Sequence, residues 1–352
     1  MAGRARAREL GVVPGALPPG PVNAITDVPG VRVGHVTLIE GTDIRTGVTA
    51  IVHDTLTGQT KLPAGLSVFN GFGKMVGSTQ LDELGEIETP ILLTSTLATF
   101  AVADALIGYL LALPGNEQLT SVNPIVAETN DGYLSDSRSR PITAAHVLHA
   151  IAAATAGPIA EGCVGAGTGT SSLGFKAGIG TASRMVHRDG MNATIGVLVQ
   201  ANFSGTLTVL GVPFPVSPSA AGPAAGNSCV IVISTDAPLD SRQLRRVARR
   251  SLTAMARTGS DFSGRSGDYA LAFSTVPYGA TAGWTCPVPE NDLDLFFAAA
   301  IEATEEAILN SLFMAESMTG FKGHARQAVP LDDVRQRVGR YGEDRGGAGL
   351  GC

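Results

Sequence analysis

The sequence is short of several things that would each point to a function class. Its 352 residues include four cysteines, Cys163, Cys229, Cys286 and Cys352, with neither metal-type spacing nor a disulfide pattern. A reduced, cytoplasmic setting is the expectation that follows. Charged residues make up only 16% of the chain and sum to a net charge of −6, which gives no electrostatic ground for nucleic-acid binding. No apolar run is long enough to span a bilayer, and the basic start Met-Ala-Gly-Arg-Ala-Arg-Ala-Arg-Glu-Leu lacks a following apolar core, so neither membrane nor signal peptide is expected. The six histidines offer one close pair, His146 and His149, in an Ala-rich stretch with no acid between them. Ordinary surface or core histidines are expected there, and no metal or other cofactor.

Apolar residues, at 44%, and 44 glycines are what the chain has in quantity. The glycines lie inside strand-like segments, which argues for tight turns and close backbone approaches. Hydrophobic periodicity predicts strands over Val31–Ile39, Val48–His53, Gly65–Phe69, Pro90–Thr94, Asn123–Glu128, Ala193–Gln200, Leu207–Leu210, Ser228–Ser234 and Asp268–Thr275. It predicts helices over Leu97–Leu113, with Phe100, Asp104, Ile107 and Leu111 spaced by three or four, and over Ile142–Ala154. A further helix, Leu239–Arg257, sets Leu244, Val247, Ala248, Ser251, Leu252 and Met255 on one face. Arg242, Arg245, Arg246, Arg249 and Arg250 line the other, read as a solvated or subunit-contact face. The last helix, Asp292–Phe313, turns Phe297, Ile301, Ile308 and Leu312 inward and Glu302, Glu305 and Glu306 outward. Strands and helices in blocks favour a layered α/β (α+β) fold, with two central sheets covered by helices, over a doubly wound one. Residues 1–352 read as one catalytic domain.

Residues 222–235, Gly-Pro-Ala-Ala-Gly-Asn-Ser-Cys-Val-Ile-Val-Ile-Ser-Thr, run from a small-residue linker straight into a β-branched strand. Alone, the junction reads as a loop entering a strand. It also has what a self-processing N-terminal nucleophile needs. Cutting Asn227–Ser228 would give Ser228 both a hydroxyl and a free α-amine, which titrates near roughly 7.7–8.0 and so serves as a base near neutrality. The segment 211–226 reads as the processing loop.

Gly165-Ala-Gly-Thr-Gly-Thr-Ser-Ser-Leu-Gly-Phe-Lys176 fails as a phosphate loop, because Phe175 parts glycine from lysine and no Ser/Thr follows. A glycine-rich hairpin or an amide-lined wall is expected. No Gly-x-Ser-x-Gly elbow precedes a helix either. Three polar stretches beside strands, Glu128-Thr-Asn-Asp-Gly-Tyr133, Gln200-Ala-Asn202 and Gly264-Arg-Ser266-Gly-Asp268, are each explained by turn chemistry when taken singly. Taken together they offer a carboxylate for an ammonium, an amide for an oxyanion and a serine–aspartate pair to orient a nucleophile.

Seven stretches in order resemble the L-aminopeptidase/D-esterase group that includes the β-peptidyl aminopeptidases. They are Ile25–His35, Asn70-Gly-Phe-Gly-Lys74, Glu128–Leu134, Gly165–Gly169, Gly178–Arg184, Gly226-Asn-Ser-Cys229 and Ser266-Gly-Asp268. The resemblance implies an αββα four-layer sandwich, like N-terminal nucleophile hydrolases but with different connectivity. It implies self-cleavage into residues 1–227 and 228–352, and a homo-oligomer of the processed pair. Carried onto this chain, Ser228 is the nucleophile, Ser266 contacts it and Asp268 supports Ser266. Asn202 and the Gly267 N–H form the oxyanion hole, Glu128 anchors the amine of a small peptide or aminoacyl amide, and Tyr133 is a further active-site residue. Phe203-Ser204 departs from the Tyr-Gly common after the asparagine, and some members have Glu where Asp268 stands. An acyltransferase of the ornithine acetyltransferase kind is the alternative enzyme, though those use threonine. An unprocessed binding homologue is the alternative without chemistry.

Overall fold

The computed structural model describes residues 3–188, 191–216, 227–280 and 288–346. Alternation of apolar residues builds two sheets. The first runs in the order β1 (Arg32–Glu40), β2 (Ile44–Val52), β6 (Ile91–Ser95), β7 (Ile125–Thr129), β4 (Met75–Val76), with β6 and β7 parallel. The second runs β10 (Ile179–Arg188), β11 (Met191–Asn202), β14 (Ser228–Thr235), β15 (Gly267–Ser274), β3 (Leu62–Gly71), β5 (Glu86–Ile87), with only β14 and β15 parallel. Short hairpins pair β8 (Ser171–Ser172) with β9 (Phe175–Lys176), β12 (Thr208–Val209) with β13 (Val212–Pro213), and β16 (Met318–Thr319) with β17 (Ala325–Arg326).

A strand has two faces, and β14 uses both. Val230 and Val232 pack between the sheets with Ile51, Leu93, Leu198 and Leu271, while Ile231 and Ile233 face the opposite way. That outer core joins them to Leu244 and Val247 of α4 (Ser241–Ser251) and to Leu309 and Phe313 of α6 (Leu293–Phe313). On the far side of the first sheet, Leu92 and Val126 pack against Val102 and Leu106 of α2 (Thr99–Leu111) and Val147 of α3 (Ala144–Ala152). Three apolar interlayers, each filled by side chains whose full burial is worth about 1.5–3 kcal/mol apiece, stack as helix, sheet, sheet, helix. This is the αββα layering that the resemblance implies. Close approach explains some of the glycine: a Cβ at Gly180 of β10 would come within 2.0 Å of the Ala307 carbonyl of α6.

Several expected elements are redrawn. The helix expected over 239–257 is two, α4 and α5 (Thr253–Thr258), and begins only at Asp240, whose side chain accepts from Gln243 N at 2.7 Å. Hydroxyls at Ser251 and Thr253 bond back to the carbonyls of Ala248 and Arg250, which weakens the helix where it breaks. Its arginine stripe is largely engaged within the chain. Arg242 and Arg246 pair with Glu290, Arg245 pairs with Asp82 at 2.9 Å, and Arg250 lies 3.6 Å over the Phe297 ring. In α2 the stripe of Phe100, Asp104 and Leu111 faces outward, with Phe100 68% exposed; smaller Val102, Ala103 and Ala105 join Leu106 on the buried face. Strand β10 and helix α7 (Leu331–Gly346) were not expected.

The acids of α6 do not all face water either: Glu305 is 6% exposed and Glu306 fully buried. Glu306 meets the buried Arg184 of β10 at 2.8 Å, Arg8 at 3.0 Å and Asn23 Nδ2 at 2.6 Å. Two missing inputs, a strand carrying an inward arginine and an N-terminal segment that folds back over it, account for the misplacement. Residues 217–226, most of the expected processing loop, lie outside the described residues, as do Cys286 and Cys352.

Candidate active site

Ser228 is the first residue of β14, and its register brings two expected partners beside it. It pairs with Asn202 at the end of the neighbouring antiparallel β11, and with Gly267 at the start of the parallel β15. Ser228 is 3% exposed; its Oγ donates to the Asn227 carbonyl. The Gly267 N–H points at the same junction, 3.2 Å from Asn227 O and 3.4 Å from Ser228 Oγ. One backbone donor therefore addresses both the hydroxyl and the carbonyl that precedes it.

The flanking residues hold this geometry. Ser266 Oγ donates to Asp268 Oδ1 at 2.6 Å, and Asn70 Nδ2 donates to Asp268 Oδ2 at 2.8 Å. Burial pushes the Asp268 carboxyl above its ordinary range, while the bonds from Ser266, Asn70 and the Cys229 N–H pull it back. The Ser266 hydroxyl is thus turned to Asp268, and Ser228 Oγ has Asn227 O and the Gly267 N–H as its partners. Asn202 is clamped: its Oδ1 accepts from Ser171 N at 3.0 Å and its Nδ2 donates to Asn130 O at 2.9 Å, which fixes the orientation of the amide.

Asn130 lies two residues beyond Glu128, so the clamp on Asn202 ties the end of β7 to the end of β11, where Asn202 pairs with Ser228. Glu128 is 2% exposed. Its Oε1 accepts from Lys74 N at 3.0 Å and from Lys74 Nζ at 3.3 Å, whereas its Oε2 is buried without a partner among the described residues. Lys74 Nζ also donates to Thr96 Oγ1 at 2.8 Å. A buried carboxylate oxygen left bare is costly unless a ligand fills the place. Behind it Asp131, 1% exposed, accepts from Thr46 at 2.6 Å and Ser95 at 2.7 Å, and burial pushes its carboxyl up to about 6.

A second tie comes from the turn Asn70–Lys74. Asn70 holds Asp268, Phe72 N donates to Ser266 O at 3.1 Å, and Lys74 holds Glu128. Gly73 between them packs on the nucleophile's neighbour: a side chain there would meet Gly267 Cα at 3.2 Å and the Tyr269 hydroxyl at 3.0 Å. Asn70, Lys74 and Asp131 are residues that the sequence did not single out. Their only signal was membership in two of the resembling stretches.

Tyr133 sits apart, against the β16–β17 hairpin. Its ring stacks on His324 at 4.4 Å and under the Arg326 guanidinium at 4.0 Å, and its hydroxyl accepts from Arg326 at 3.2 Å. The glycine-rich segment forms the expected hairpin, β8–β9. Lys176 is fully buried, with Nζ on the carbonyls of Gly167 (3.3 Å) and Ala177, facing inward rather than to a phosphate. His146 accepts from Thr143 N at 3.1 Å and caps α3.

Known proteins are similar to this chain over most of its length. The chain is 40% identical to a β-peptidyl aminopeptidase, BapA, of Sphingosinicella microcystinivorans, across 96% of this chain and 92% of that protein. Among solved structures it is similar to a Burkholderia sp. β-aminopeptidase (39% identity, TM-score 0.84, 95% and 99% of the two chains). It is also similar to the L-aminopeptidase D-Ala-esterase/amidase of Ochrobactrum anthropi (36% identity, TM-score 0.86, 96% and 99%), described as a prototype for the serine aminopeptidases and a new variant among the Ntn hydrolase fold. The model of peptidase family S58 matches residues 23–326, from ahead of β1 through β17, and so takes in Glu128, Asn202, Ser228 and Gly267. With both ends of the site inside that match and the layers superposing on solved relatives, the chain belongs to peptidase family S58.

Proposed function

We propose that this chain is a self-processing serine aminopeptidase that cuts itself between Asn227 and Ser228 and then releases N-terminal residues from small peptides, amides or esters. The observation that carries the reading is the Gly267 N–H, 3.2 Å from the Asn227 carbonyl oxygen and 3.4 Å from Ser228 Oγ. In the precursor, Ser228 Oγ attacks the Asn227 carbonyl carbon, the C–N bond breaks to leave an ester and a free α-amine, and water hydrolyses the ester. In the product, Ser228 Oγ attacks a substrate carbonyl while the α-amine takes its proton and returns it to the leaving amine. Water then releases the acyl group. Asp268 acts through Ser266, which orders the start of β15.

Gly267 N–H and the second hydrogen of the Asn202 amide are the oxyanion donors of this scheme. Asn202→Ala is expected to lower kcat about 10²–10³-fold, equivalent to about 2.7–4 kcal/mol, with KM little changed; steady-state kinetics on the cut protein checks it.

Glu128 Oε2 is the seat for the substrate ammonium, and its lack of a partner among the described residues supports that role. Names borne by the relatives, aminopeptidase and amidase, agree with it. Tyr133 is a further active-site residue on the resemblance alone. So is assembly of cut chains into a homo-oligomer. A cytoplasmic setting suits the free thiols Cys163 and Cys229. The test compares an aminoacyl p-nitroanilide having a free amine with its N-acetyl form. Wild-type protein, seen as two masses split at Ser228, is expected to turn over the first at least about 10²-fold faster, since a buried charge pair is lost with the second. Equal rates would end the aminopeptidase reading.

A further inference from the structure

We infer that Phe72 is the residue that selects the side chain of the substrate's first residue, favouring large apolar ones. This rests on the assignment of Glu128 and Ser228 as the two ends of the bound residue. An amino-acid unit spans only about 3.3–3.6 Å of backbone, so its side chain stands beside whatever segment joins those ends. One of the two segments that tie those ends together is the Asn70–Lys74 turn, fixed to Ser266 O by Phe72 N at one end and to Glu128 by Lys74 at the other. Within Gly71-Phe72-Gly73 only Phe72 has a side chain. Gly73 must stay bare because its backbone lies on Gly267.

Phe72 is 71% exposed. Its own backbone is bonded in place, so the ring is presented rather than tucked away, and it does not join the nearby Phe69–Phe262 ring pair, whose centroids are 4.3 Å apart. A second exposed apolar residue follows the partner of Lys74 at the other end of the turn. Lys74 Nζ is bonded to Thr96, and Leu97, the next residue, is 45% exposed. An apolar substrate side chain covering both would remove this surface from water, whereas glycine would leave it wet.

The test is a ratio. For wild type, Phe72→Ala, Phe72→Leu and Leu97→Ala, kcat/KM is measured on leucyl- and glycyl-p-nitroanilide, with the subunit mass and the cut recorded for each. Wild type is expected to prefer the leucyl substrate, and Phe72→Ala to reduce the leucyl:glycyl ratio about tenfold through KM. Phe72→Leu is expected to restore most of the ratio and Leu97→Ala to reduce it by less. A turn merely loosened by the substitution would depress both substrates together and leave the ratio intact, which overturns the assignment. An unchanged ratio with an altered oligomer mass also overturns it, because the ring would then face a second copy. Failure of the underlying site is seen separately: wild type would turn over neither free-amine substrate.

Discussion

Ser228→Ala is expected to yield one uncut chain of residues 1–352, and the wild type is expected to separate on a denaturing gel into residues 1–227 and 228–352. The substitution removes the only atom of residue 228 able to attack the Asn227 carbonyl, and alters nothing else in a strand position that is already 3% exposed. Aminoacyl-amide turnover should fall by about 10⁴-fold or more, the order seen when a nucleophile is deleted from a hydrolase. Intact mass and a p-nitroanilide assay read the two effects independently. Ser228→Cys keeps an attacking atom and is expected to be cut, at an altered rate. A wild-type chain that remains whole yet hydrolyses the substrate would remove Ser228 from the mechanism, and so would cleavage of the alanine variant.

Glu306→Leu is the second large effect, and it concerns stability. Both partners of the Arg184–Glu306 pair are fully buried, and Arg184 also reaches the carbonyls of Ser183 at 2.7 Å and Pro14 at 2.8 Å. Those carbonyls satisfy N–H groups but cannot balance the charge. Removing the carboxylate leaves an uncompensated guanidinium in the interior, which typically costs about 3–5 kcal/mol. Glu302 offers partial relief at 3.3 Å, so the lower half of that range is expected. The midpoint of urea unfolding checks it. The pair Arg184→Met with Glu306→Leu should recover most of the loss, because burying two ions is itself expensive. A double variant no more stable than the single one would mean that the charge was not what mattered.

The same pair shows where sequence reading stops. Helical period places residues on faces, but it does not say which face meets protein. In α6, Glu305 and Glu306 look like a solvent face until Arg8 and Arg184, 298 and 122 residues away, fold onto Glu306. β10 escaped notice for the same reason. Its buried Thr181, Ser183 and Arg184 are satisfied by hydrogen bonds rather than by apolar contact. In α2 almost every position is apolar or small, so spacing could not choose between Phe100 and Leu106. The proposed site residues Glu128, Asn202, Ser228 and Ser266-Gly-Asp268 have a local signal instead, because all sit where a strand begins or ends. Strand ends are legible from turn residues next to β-branched runs. Lys74 and Asn70 have no such signal, because their contacts span 54 and 198 residues and arise only when β4 is laid beside β7 and β3 beside β15.

Sheet order has a consequence for timing. β14 and β15 belong to the part of the chain after Ser228, and they lie between β11 on one side and β3 on the other, both from the part before it. A piece beginning at Ser228 and made alone would have two bare strand edges and no neighbour for either, whereas a whole chain closes both seams as it folds. The proposed scission at this junction would therefore have a direction in time: assembly first, cutting second. In a chain so cut, the interleaved strands would hold the two products together as a splice holds rope, without any covalent bond across the break.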